Sequence, residues 1–184
     1  YDLNGVRIFG VGYYGARLPQ ILDRFADAAE SLDRTGIDYS ICMLHTGVDD
    51  KVDYHHSGAS AADIYRLRPL IDYIGTGHIH HQFALPDDED QAPWIFSSGS
   101  FETWAAGEVG RPKGLYHVTI DPSLPGGHEA RHLDVTGRRP YFRLKLDATP
   151  HTEPDDLHTA IGRLIRTEIP AVGDRPIVEL RGTG

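Results

Sequence analysis

Eleven histidines stand in 184 residues, and three of them, His78, His80 and His81, fall within four positions in YIGTGHIHHQF. Neutral imidazole nitrogens ligate borderline divalent ions, and carboxylates commonly complete such sites. If the segment is extended, side chains two apart point to one side, so His78 and His80 share a site and His81 faces away. Gly77 would let the backbone come close to that site. The spacing alone is weak, because a chain of this length and histidine content yields an H-x-H pair roughly 0.65 times by chance.

His45 strengthens the pattern. It follows the apolar stretch IDYSICML, as His78 and His80 follow DYIGTG. Both stretches read as short strands covered on both faces. In open α/β sheets, ligands gather at the carboxyl ends of strands. The loop HTGVDDKVDYHHSG adds His55 and His56, which either approach a substrate phosphate or are simply solvated; Asp49, Asp50 and Asp53 read as a solvated acidic loop. Ser98 and Ser100 flank Gly99 in a turn, and with no base beside them in the sequence they position that turn rather than act as nucleophiles. Trp94 and Trp104 read as core residues, with base stacking as the alternative. His117 reads as structural within a strand, and His128, His132, His151 and His158 as surface positions.

The elements that must hold these residues follow from periodicity. VRIFGVGYY reads as a strand. RLPQILDRFADAAESLDR places Leu18, Ile21, Leu22, Phe25, Ala29 and Leu32 at helical spacing, with Gly36 as its C-cap. ASAADIYRLRPLI is a short helix disturbed by Pro69. Strand, helix, strand, loop, helix, strand is the order of an α/β architecture. After His81 come the acidic loop PDDEDQAP and strands at WIFSSGS, GLYHVTID, HEARHLDVT and PYFRLKLDA. A helix follows at Pro154 to Thr167, with Thr152 and Asp155 resembling a capping box, and RPIVELRG closes as a strand. Residues 138–184 thus form a β-α-β unit distinct from residues 1–137.

Net charge is −9, and no stretch is densely basic, which disfavours nucleic-acid binding by charge alone. Hydrophobic residues make up 40% of the chain, which fits a globular protein, and no apolar run approaches the ~18–20 residues that span a bilayer. The single cysteine, Cys42, excludes an internal disulfide framework and fits a reducing, cytoplasmic setting.

CMLHTG, DYIGTGHIH and FSSGSFE, in that order, resemble the last blocks of the calcineurin-like metallophosphoesterases, and most closely the SbcD-type DNA-repair exonuclease branch. RPKGLYHVTID is similar to the strand that follows these blocks in that branch. The tail from RPYFRLKLDA onward resembles the start of its capping domain. The resemblance implies a layered β-sandwich flanked by helices, carrying two divalent metal ions, usually Mn2+, that activate water against a phosphodiester. It implies that His45 and His78 ligate one metal and His80 the other, with His55, His56 and His81 near substrate. It further implies DNA as substrate, an SbcC-type ABC ATPase as partner, and a homodimer.

Of the earlier blocks of that family, Gly-Asp-x-x-Asp and Gly-Asn-His-Asp/Glu are absent from the sequence, and no Asp-x-His stands ahead of CMLHTG, where that block belongs. They supply the bridging carboxylate and the catalytic histidine. The expectation is therefore the C-terminal part of a catalytic core plus the beginning of a cap, inactive alone. Two alternatives stay open: a small-molecule metallophosphodiesterase or phosphatase, and a non-catalytic binding module whose histidines are structural.

Overall fold

The structure, a computed structural model, describes residues 1–48, 58–86, 91–170 and 175–184. The chain is mixed α/β and divides into two compact units, one of Tyr1–Ser100 with Pro112–Asp134, the other of Phe101–Arg111 with Val135–Gly184. A sequence boundary after residue 137 puts Phe101–Arg111 in the first unit, whereas in the structure it groups with the C-terminal residues.

In the first unit a two-residue strand β1 (Asp2–Leu3) precedes β2 (Val6–Val11), helix α1 (Leu18–Glu30), β3 (Tyr39–Leu44), the short helix α2 (Ala61–Tyr65), β4 (Tyr73–Thr76), β5 (Gln82–Leu85) and β6 (Ile95–Ser98). They form one six-stranded sheet in the order β1-β2-β3-β4-β6-β5. The β2–β3, β3–β4 and β4–β6 pairs are parallel, while β1 and β5 add antiparallel edges. A hairpin of β7 (Gly114–Ile120) and β8 (His128–Asp134) completes the unit.

The strand pleat sends alternate side chains to opposite faces. One face of the sheet presents Cys42, Leu44, Ile74 and Ile95, which pack with Leu18 and Leu22 of α1 and with Ile64, Leu67 and Trp94. The other presents Tyr39, Tyr73 and Phe96, covered by Tyr116, Val118, Ile120 and Ala130 of the hairpin. Burial of this double core explains why IDYSICML reads as unbroken apolar sequence. Desolvation pushes the Cys42 thiol up to about 12, so it is an inert packing group.

Several sequence expectations shift. α1 ends at Glu30, so Gly36 is no helix cap; its positive φ of 74° serves the turn entering β3, which Asp33 opens by accepting from the Thr35 N–H at 2.9 Å. α2 is only five residues long, capped by Ser60, whose hydroxyl accepts from the Asp63 N–H at 3.1 Å. β5 was not anticipated.

In the second unit, β9 (Tyr141–Asp147), α3 (Pro154–Glu168) and β10 (Ile177–Thr183) form a β-α-β unit in which β9 and β10 pair in parallel. The expected capping box is not made. Pro154 occupies the first helical turn, which suits its missing N–H, so the cap position moves to Glu153, whose side chain makes no capping bond. Asp156, in the same first turn, pairs with His151 Nδ1 at 2.7 Å. Among the described residues no helix is long and apolar enough to cross a membrane.

Candidate metal-ligand cluster

Because β2, β3 and β4 are parallel neighbours, the loops that follow them lie side by side. Their first residues include Tyr13, His45 and His78. The His45 N–H continues the strand pairing to the Val11 carbonyl at 3.0 Å, and the Gly77 N–H does the same to the Leu44 carbonyl at 3.0 Å. The outcome is a cluster of three rings. The His45 and His78 centroids stand 5.3 Å apart at 64°. Tyr13 stacks on His78 at 4.8 Å and 28°, and meets His45 edge-on at 6.0 Å and 89°. Gly77 lets His45 pack close, since a Cβ there would stand 3.2 Å from His45 Nδ1 and the ring would have to give way by a few tenths of an ångström.

The extended geometry assumed for residues 77–81 does not hold. β4 ends at Thr76, and His78 adopts a φ of 86°. The left-handed region disfavours side chains with a Cβ, and such strain is retained mainly where a site demands it. The bend still buries Ile79 (4% exposed) while His78 is open to solvent and His80 and His81 are half-buried. Ile79 is the anchor between the two expected ligands. Its carbonyl accepts from the buried Ser97 hydroxyl of β6 at 3.4 Å. A Cβ at Gly47 would stand 2.7 Å from Ile79 Cγ1 and closer still to Cδ1. Gly47→Ala is therefore expected to overpack this anchor, costing about 1–3 kcal/mol. The check is denaturant unfolding, together with histidine NMR shifts, which should move at His78 and His80.

Thr46 holds the other side of the loop. It is buried, and its hydroxyl accepts from the Ala59 N–H at 3.1 Å, beside the bridge between Val48 and Ala59. His55, His56, Asp49, Asp50 and Asp53 lie outside the described residues.

Electrostatics favour the neutral imidazole at His78. Partial burial first, then the charge of His45, then that of His80, hold its pKa below the usual histidine value. Although the side chain stays open to solvent, the rings against it strip part of its hydration. A neutral imidazole keeps the lone pair that a metal needs.

The donor set fits part of a metal site. With metal–nitrogen bonds of about 2.0–2.1 Å, two imidazoles on one ion have ring centres on the order of 4.5–5.5 Å apart, and the His45–His78 spacing lies in that range. Among the described residues, no group of three or more His, Cys, Asp or Glu is placed to hold a metal ion.

Other residues fall differently from expectation. Ser100 does have a nitrogen neighbour: Lys113, only 1% exposed, donates from Nζ to Ser100 Oγ at 2.7 Å. This bond pins the turn at Gly99, whose φ is 79°. His128 is not a surface residue. It is 7% exposed, with Nδ1 2.7 Å from the Tyr39 hydroxyl and 2.9 Å from the Gly126 carbonyl, and Nε2 3.0 Å from the Pro93 carbonyl. His117 is exposed on β7. Trp94 is in the core, but Trp104 is 75% exposed. Tyr13 escaped the sequence reading; its signal was its place just past a strand that neighbours the one ending in His45.

No protein-family model matches the sequence.

Proposed function

We propose that this chain is part of an SbcD-type metallophosphoesterase, a DNA exonuclease and endonuclease acting in double-strand-break repair, and contributes imidazole ligands to its two-metal centre. The observation that carries the reading is the His45–His78 pair, set at the carboxyl ends of adjacent parallel strands with His78 in a strained backbone conformation. His80 joins the set for the second ion. His81, with His55 and His56, stands for substrate contact. Two divalent ions, Mn2+ in this reading, would supply a metal-bound water and neutralise charge on the phosphodiester. The residues of this chain orient and hold: Gly77 admits His45, Ile79 and Ser97 fix the bend, and Tyr13 backs His78.

The sheet with helices on one face and a hairpin on the other is compatible with one part of the layered sandwich of that family, and the β9-α3-β10 unit with the beginning of its cap. The bridging carboxylate and the catalytic histidine belong to sequence blocks that this chain does not contain. DNA, an SbcC-type ABC ATPase and a second copy are partners of the complete protein in this reading, and its location is cytoplasmic.

The test compares the 184-residue chain with the complete protein. With Mn2+ present, the chain alone should hydrolyse neither linear duplex DNA nor a bis-aryl phosphodiester, because it lacks the carboxylate that bridges two ions. The complete protein should hydrolyse both, and EDTA should stop it. EDTA-sensitive turnover by the pure chain would contradict the assignment of ligands. An inert complete protein would leave a binding module as the better description.

A further inference from the structure

We propose that Tyr13 is the positioning residue of the imidazole pair: its ring sets the planes of His45 and His78 and so tunes their affinity for a divalent ion. The proposal rests on the reading of these two histidines as ligands. Tyr13 is the one tyrosine whose ring contacts both of them among the described residues, by its face to His78 and at right angles to His45. These are the two arrangements that aromatic quadrupoles favour. His78 lies two residues past the end of β4, with its backbone at a φ of 86°. Its ring therefore depends on neighbours for orientation, as metal-ligating histidines generally do.

Tyr13 is suited to that work by its own placement. It lies two residues beyond Val11, whose carbonyl is bonded to the His45 N–H, so β2 and β3 fix its distance from His45. The chain then turns at Gly15, with a φ of 53°, into the short helical turn that leads to α1. Tyr13 is nevertheless 53% exposed, so its ring carries little of the core. The element its role needs is the planar face, which phenylalanine shares and leucine does not.

Nickel, which prefers imidazole nitrogen, is the probe, titrated calorimetrically into the 184-residue chain and its Tyr13→Phe and Tyr13→Leu variants at pH 7.5. His45→Ala identifies the site by abolishing the uptake. Tyr13→Phe should bind within about twofold of the parent, and Tyr13→Leu about tenfold more weakly, the scale of losing a group that orients a ligand. Thermal unfolding of all three chains should coincide within a few degrees. Equal affinity in Tyr13→Leu would overturn the proposal while leaving the ligands in place. Equal weakening in Tyr13→Phe would overturn it by assigning the effect to the hydroxyl. Absence of nickel uptake abolished by His45→Ala in the parent chain would remove the ligand reading and the proposal together.

Discussion

His78→Ala in the complete protein is expected to lower metal content to background and the phosphodiesterase rate by at least about 10²-fold, the scale of losing one group that stabilises charge developing in a transition state. His45→Ala and His80→Ala should do the same. None of the three should unfold the protein, since loop-end histidines support little packing and stability should change by only about 1 kcal/mol. His78→Gly separates strain from function. Glycine accepts a φ of 86° at no steric cost, so this variant should be at least as stable as His78→Ala and equally inactive. Metal analysis by mass spectrometry and a rate assay on each variant decide the matter. Full activity in any one of them removes that residue from the centre.

Trp94→Ala is expected to cost about 3–5 kcal/mol, a large share of the stability of a domain this size. Trp94 is 0% exposed, its ring lies 6.2 Å from Tyr65, and the Arg68 guanidinium stands 4.9 Å above it. Its indole N–H finds no hydrogen-bond partner among the described residues, so the loss is one of packing and cation–π attraction. Trp104→Ala, on a ring that is mostly exposed, should stay within about 0.5 kcal/mol. Urea unfolding of the two variants checks the contrast. Similar losses in both would mean that Trp94 is not the buried member of the pair.

Periodicity made the central sheet legible. The largely apolar runs at Tyr39–Leu44 and Tyr73–Thr76 and the helical stripe from Leu18 to Ala29 are strong signals because the strands, Met43 apart, are buried or half-buried on both faces and the helix on one. β5 was missed because Gln82–Leu85 is a four-residue edge strand of mixed polarity beside an acidic loop. Gly36 and Thr152 misled for a shared reason: turn residues mark a change of direction, and an Asx turn at Asp33 or a proline at Pro154 decides where the helix itself stops or starts.

At the site, the spacing of His45, His78 and His80 pointed to one place, and the fold sets the first two together. Their geometry was not legible, because nothing in GHIHH announces a left-handed histidine. Tyr13 and His128 were hidden for a different reason. Their partners come from strands distant in sequence, 32 residues in the Tyr13–His45 contact and 89 in the Tyr39–His128 bond, and no local pattern encodes such neighbours. Lys113 and Ser100 are a third case, joined across thirteen residues by the return of β7.

The most direct measurement is Mn2+ titration of the isotopically labelled 184-residue chain, followed by paramagnetic broadening of histidine ring signals. His117 and His158, both exposed, serve as internal controls for adventitious binding. His45 and His78 should broaden first, with His80 close behind, while His117 and His158 persist at the same ion concentration. Broadening of His117 and His158 at the same rate as His45 and His78 would contradict it, because the clustered rings would then be no better a metal site than an isolated surface histidine.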